Sequence, residues 1–239
     1  MDDAVPYAYF EDINWGLLEL WGQRRGQNVL DVGCGFATTS QKIREQGNHV
    51  VGIESNPDAV RVARARIDEV MEKDLENVHG IYGRFDTIIF ADVLEHVPWP
   101  ARVLKSYLPL LEPHGTVIVS LPNVGLWSVR LSLLLGRFHY QDTGVLDRTH
   151  LRFFTRRSAA EMLRSAGLEP FRRTYNPGLM RPFVPVAKKF VGRGGGAGSI
   201  LESRPYRAYL KTVYPIERTI ARLWPGALAF QMIFEARPR

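Results

Sequence analysis

Nine residues, Val29-Leu30-Asp31-Val32-Gly33-Cys34-Gly35-Phe36-Ala37, constrain the fold of this chain more than any other stretch. A short apolar run of this kind is a strand buried on both faces, as in a parallel sheet. The two glycines let the backbone turn sharply and approach a ligand with no Cβ in the way. Ala37 to Gln46 then read as a helix closed by Gly47, so its first N–H groups point back at the turn. Strand, glycine turn and helix make the opening unit of a doubly wound α/β sheet, whose ligands sit at the carboxyl ends of the strands. A dinucleotide fingerprint would need Gly or Ala where Thr38 stands. Asp31 would repel a phosphate and attract a cationic group, and Cys34 between the glycines reads as a small buried filler.

The same alternation continues down the chain. A leader helix carries Ile13, Leu17, Leu20 and Trp21 at helical spacing behind a cap at Asp12, with Tyr7, Tyr9 and Phe10 ahead of it. His49 to Ile53 is a second strand ending in Glu54 and Ser55, and Asn56-Pro57 opens the next helix. Val70-Met71 is a weak third strand followed by Asp74-Leu75. Phe85 to Ala91 is a buried fourth strand that runs out into Asp92-Val93-Leu94-Glu95-His96. Pro100 opens a helix with Val103, Leu104, Tyr107, Leu108 and Leu111 on one face, ended by Glu112-Pro113-His114-Gly115. Thr116 to Leu121 is strand five, and a helix from Leu126 to Leu135 carries Trp127, Arg130, Leu131 and Leu134 on one stripe. Ser158 to Ala166 is an amphipathic helix, and the last two strands lie near Leu168 to Tyr175 and Leu228 to Ala236.

Asp31-Val32-Gly33-Cys34-Gly35 resembles the first motif of class I S-adenosylmethionine-dependent methyltransferases, with Ala37 in place of that motif's third glycine. The stretch from Phe85 to His96 resembles their fourth motif in the form found in quinone-biosynthesis O-methyltransferases. Asp142 to Thr155 is similar to a signature of bacterial methyltransferase-domain proteins associated with envelope saccharide or lipid pathways. The resemblance implies a Rossmann-like seven-stranded sheet, mostly parallel with an antiparallel last strand and helices on both faces. It implies S-adenosyl-L-methionine as cofactor, held by Asp31, Gly33, Cys34, Gly35, Glu54, Ser55, Asp74, Leu75, Ala91 and Asp92. Glu54 would take the ribose hydroxyls, and Asp74 or its neighbour's backbone the adenine amino group. His96, then His150, is the expected general base, since a neutral imidazole titrates near working pH. Glu95, Asn123, Asp147 and Arg148 are expected on the acceptor side, with Glu95 and Asp147 as orienting groups.

The chain of 239 residues fits one methyltransferase domain with a substrate-pocket insertion at 122–155 and a basic amphipathic insert at 179–225. The net charge of +6 belongs to that insert. Between Arg181 and Arg222 stand nine Lys or Arg against two Glu, which leaves the remainder nearly balanced. Gly192 to Gly198 make a flexible break, flanked by Val184, Ala187, Phe190 and Val191 before it and Ile216, Ile220, Leu223 and Trp224 after it. A lid over the pocket, a peripheral membrane contact and plain packing all stay open. A single cysteine and no membrane-length apolar run point to a cytoplasmic enzyme. No metal is expected, although Asp92 or Glu95 could serve a divalent cation. The expected partner is a small-molecule acceptor: a hydroxylated saccharide, a lipid-linked compound or a quinone-like one. Ala91-Asp92-Val93-Leu94 stands where an amino-methylating nucleic-acid enzyme would carry Asn/Asp-Pro-Pro-Tyr/Phe, so nucleic acid is not expected. The rivals are a nucleic-acid methyltransferase and a catalytically silent cofactor-binding scaffold.

Overall fold

A computed structural model describes residues 13–178 and 204–239, the backbone alone over 204–211. Seven strands form one sheet in the order β3-β2-β1-β4-β5-β7-β6. They are β1 (Asn28–Val32), β2 (His49–Glu54), β3 (Glu69–Glu72), β4 (Phe85–Ala91), β5 (Leu111–Pro122), β6 (Leu168–Pro177) and β7 (Ala229–Pro238). The β1–β2, β2–β3, β1–β4 and β4–β5 pairings are parallel, whereas β7 runs antiparallel to both β5 and β6. The expected mostly parallel sheet with an antiparallel last strand is what the chain forms.

Both faces of the sheet are covered, which is why the central strands read as unbroken apolar runs. On one face α1 (Trp15–Trp21), α2 (Thr38–Glu45) and α3 (Pro57–Ala63) bring Leu17, Leu20, Trp21, Ile43 and Val60 against Val29, Val50, Ile89, Ile118 and Ile233. On the other, α4 (Pro100–Tyr107) and α6 (Arg156–Ser165) bring Val103, Leu104, Tyr107 and Leu163 against Leu30, Ile53, Ile88, Val119 and Phe234. Among the described residues two further helices follow β6: α7 (Arg204–Leu223), which packs on β6, and α8 (Pro225–Leu228).

Two local expectations change. The leader helix is capped by Asn14, whose side chain accepts from Leu17 N. Asp12, Tyr7, Tyr9 and Phe10 lie outside the described residues, as do the glycine run and the apolar positions before it. Helix α4 stops at Tyr107, because Pro109 has no N–H with which to continue the hydrogen-bond ladder, and a 3₁₀ turn over Leu108–Leu110 follows. Leu111 then already pairs with Phe85, and Glu112 to Gly115 bulge out of β5 before Thr116 resumes opposite Thr87. In α5 (Trp127–Leu134) Val129 is buried beside Leu126 at the N-cap, while Leu131 is 48% and Leu134 82% exposed. That helix is apolar around most of its circumference, so spacing alone could not choose its buried side.

Candidate functional site

The glycine turn is built for close approach. Gly33 and Gly35 both have positive φ (73° and 53°), and Gly33 N and Cys34 N donate to Ile53 O at 2.8 and 3.0 Å. A Cβ on Gly33 would stand 2.5 Å from Val93 Cγ2, so the turn is pressed directly against the loop that follows β4. Cys34 fills the space over Gly52, and burial together with the Asp31 and Glu54 charges pushes its thiol well up, keeping it protonated.

Asp31 and Glu54 are both buried at this edge. Glu54 accepts from Ser55 N and Asn56 N at 2.8 Å and from Gly35 N at 2.9 Å, which ties the ends of β1 and β2 together. Asp31 Oδ2 accepts from Ser40 Oγ at 2.5 Å, while Oδ1 accepts nothing from any described residue. Burial pushes this carboxyl up to about 6; the Ser40 hydrogen bond opposes that shift and the Glu54 charge adds to it. A buried carboxylate oxygen without a donor is the feature a cationic ligand would satisfy. Lys73 N donates to Glu54 O and brings Asp74-Leu75 to the same corner. There Asp74 caps its own turn through Glu76 N, and the Leu75 carbonyl accepts from Tyr107 Oη at 2.8 Å.

Past β4, Ala91 leads into Asp92, a non-glycine residue at φ 54°. Its carboxylate accepts from Ser120 Oγ at 3.0 Å and from Gln231 Nε2. A 3₁₀ turn over Leu94–His96 then presents Glu95 and His96 toward the segment around residue 150. Leu151 N and Arg152 N donate to the Glu95 carbonyl at 2.8 and 3.0 Å, and this holds the two segments together. The His96 and His150 rings meet edge to face, centroids 4.8 Å apart, and Glu95 Oε1 lies 3.9 Å from His150 Nε2.

Both imidazoles have one nitrogen assigned by its neighbours. His150 Nδ1 faces the Val145 carbonyl at 3.2 Å, so it carries the proton and Nε2 the lone pair. His96 Nδ1 faces the Thr149 carbonyl at 3.3 Å and Thr149 Oγ1 at 3.1 Å. The Thr149 hydroxyl donates to Asp147 Oδ1 at 2.6 Å, so it can only accept from His96, again leaving Nε2 unprotonated. Burial, then the neighbouring His150, lowers His96 to about 4; burial also lowers His150. Glu95 is pushed well up by burial and by Asp92, and its Oε2 accepts nothing from any described residue. One ligating atom from each of Glu95, His96 and His150 lies within 4.8 Å of the others, so the cluster has the reach to hold a divalent cation as well.

The remaining expected positions have structural partners. Asn123 is buried, with Oδ1 taking Gly125 N and Nδ2 reaching the carbonyls of Ala229, Pro225 and Gly226, so it braces the chain leaving β5 against α8 and β7. Arg148 pairs with Asp142 at 2.5 Å on the surface. Sequence reading missed Ser40, Thr149, Ser120 and Gln231. Thr149 stood inside a stretch already singled out, whereas Gln231 gave no signal, lying 139 residues from the carboxylate it meets.

Residues 7–171 match the family model described as a methyltransferase domain. The ubiquinone biosynthesis O-methyltransferase of Xanthomonas euvesicatoria is 31% identical over 169 residues, 64% of this chain and 65% of that protein. Its counterpart in Thiobacillus denitrificans is 31% identical over 164 residues, 64% of this chain and 70% of that one. The chain thus spans just under two thirds of the Xanthomonas relative. Among solved structures, the [4+2]-cyclase SpnF superposes with a TM-score of 0.59 at 21% identity, over 93% of this chain and 80% of that one. The magnesium protoporphyrin IX methyltransferase of Synechocystis superposes at 0.56 with 17% identity, over 93% and 79%. At such identities the two structures are similar in fold.

Proposed function

Because the chain belongs to the methyltransferase-domain family, we propose that it is an S-adenosylmethionine-dependent methyltransferase. Its acceptor is a hydroxyl on a small molecule: a hydroxylated saccharide, a lipid-linked compound or a quinone-like one. When bound, the cofactor supplies an electrophilic methyl group on a sulfonium, and S-adenosylhomocysteine is the leaving group. Asp31 Oδ1 would pair with the ammonium of the methionine end, and the Glu54 corner would hold the ribose. The adenine would lie toward Asp74 and Leu75. His96 Nε2 would take the proton from the acceptor oxygen as that oxygen attacks the methyl carbon, and His150 stands beside it as second candidate.

The observation that carries this reading is the pair of touching, neutral imidazoles that both donate from Nδ1, which makes Nε2 the basic nitrogen of each. An aromatic path supports the quinone-like or lipid-linked arm of the proposal. His150 contacts Phe153, Phe153 contacts Phe138, and Phe138 contacts the exposed Tyr140, each edge to face. A peripheral membrane contact draws support from Ile216, Ile220, Leu223 and Trp224, all exposed on or beside α7. Against it, Arg218 and Arg222, which would form the basic rim, both pair with Glu19. No helix of the described residues is long and apolar enough to cross a membrane.

Calorimetry with S-adenosylmethionine and S-adenosylhomocysteine tests the cofactor, and transfer of a labelled methyl group to a panel of saccharides, quinols and lipids tests the reaction. Binding with no transfer to any acceptor would favour the silent scaffold, a live alternative because the same fold serves the cyclase SpnF.

A further inference from the structure

Five side chains from five different elements close a hydrogen-bonded ring beside the glycine turn. Asn176 on β6 donates one amide proton to Asn14 Oδ1 at 2.8 Å and the other to Gln231 Oε1. From Asn14, the cap of α1, Nδ2 donates to Ser120 Oγ at 3.1 Å, and the Ser120 hydroxyl donates to Asp92 Oδ1 at 3.0 Å. On the other arm Gln231 of β7 donates to Asp92 Oδ2. Every donor in the ring points away from Asn176 and toward Asp92, so the Asp92 carboxylate is the terminal acceptor of both arms. This ordering fixes which way each amide faces, because reversing any one of them would set two acceptors or two donors against each other. Bonds ending on an ionised carboxylate are the stronger kind, and a chain of them polarises in one direction.

The ring closes on a residue whose backbone needs holding. Asp92 sits at φ 54°, a left-handed conformation that a residue with a Cβ adopts at a cost. The residue after it, Val93, is the one whose Cγ2 leaves no room for a Cβ on Gly33. The conformation of Asp92 therefore sets where Val93 presses, and Val93 shapes the turn of the first motif. We propose that Gln231 and Asn176, from the last two strands, are positioning residues for the cofactor turn. They act through Asp92 and Val93 and touch neither cofactor nor acceptor. Both lie beyond residue 171, where the family match ends. The inference rests on the proposal that this turn binds S-adenosylmethionine.

The test is the affinity of the full chain for S-adenosylhomocysteine, measured by calorimetry. Gln231→Met keeps the volume and removes the donor. It should weaken binding at least tenfold, while turnover at saturating cofactor stays within about threefold of wild type. Ser120→Ala, which cuts the other arm by one hydroxyl, should show the same split and gives an independent reading if Gln231→Met does not fold. In an Asp92→Ala background the Gln231→Met loss should shrink to less than twofold, because the two residues act as one unit. Unchanged affinity in Gln231→Met and Ser120→Ala, or a full tenfold loss persisting without the Asp92 carboxylate, would overturn the proposal while leaving the cofactor reading intact. A wild-type chain that binds neither S-adenosylmethionine nor its product would overturn both.

Discussion

With its carboxyl raised to about 6 by burial, Asp31 is a liability in the ligand-free protein at neutral pH. The sign follows from linkage: a carboxyl whose folded pKa lies above its unfolded value of 3.8 favours folding below that value, and this contribution is lost as pH rises through 6. Asp31→Asn removes the ionisation, so the ligand-free variant should be more stable than wild type at pH 7.5 by about 1–3 kcal/mol and melt higher. The difference should vanish near pH 3.5. The same variant should bind S-adenosylhomocysteine at least tenfold more weakly, on the order of what losing one charge-assisted hydrogen bond costs. Melting curves at the two pH values and one titration check both halves, and a variant that is no more stable at pH 7.5 would mean the carboxylate is not penalised. At His96 the expectations are kinetic. His96→Gln should cut turnover by about 10²–10⁴ with cofactor affinity unchanged, and Thr149→Val, which leaves the Thr149 carbonyl in place, by about tenfold. Burial lowers His96 to about 4, so the acid limb of turnover at saturating cofactor should lie well below pH 6. A limb centred near 6.5, or turnover abolished by a chelator, would move the imidazole from base to another role.

Helix α1 shows how an element can be legible while its attachment is not. Leu17, Leu20 and Trp21 stood at helical spacing and are buried, yet the cap is Asn14. Choosing between Asp12 and Asn14 from sequence is a choice between two good caps, and what decides it is tertiary: Asn14 is also bonded to Ser120, and Asn176 donates to it. Gly16 is the other unforeseen requirement. A Cβ there would lie 2.5 Å from Asn176 Oδ1 and 2.7 Å from Ile233 Cδ1. On helix propensity alone Gly16→Ala gains about 1 kcal/mol, whereas forcing a methyl group into a packed contact costs about 1–3 kcal/mol. The steric term should win, lowering the melting temperature and loosening α1 from β6 and β7; a stabilised variant would show that the contact yields freely. The same contrast runs through the site. Asp31, Gly33, Gly35 and Glu54 were readable because each lies at the end of a strand with a local pattern. The partners of Asp92 were not, because Ser120 and Gln231 reach it from strands 28 and 139 residues away.

At the scale of the whole chain, the strand order makes the C-terminus indispensable to a domain whose family match ends at residue 171. Strand β7 lies between β5 and β6, so β6 has no contact with the rest of the sheet unless the last ten strand residues are inserted. Spacing placed both strands correctly, but only the pairing shows that the later one must be in place before the earlier one can join. Phe230, Met232, Ile233 and Phe234 are all buried there. At about 1.5–3 kcal/mol each, these four side chains contribute on the order of 10 kcal/mol, comparable with the entire stability of an ordinary domain. Residues 1–178 alone should therefore show no cooperative thermal transition and no binding of S-adenosylhomocysteine, even though every residue expected to touch that cofactor is retained. Circular dichroism on heating and calorimetry check it. A fragment that melts cooperatively and binds would mean that the five parallel strands form a self-sufficient unit, with β6 and β7 an addition to it.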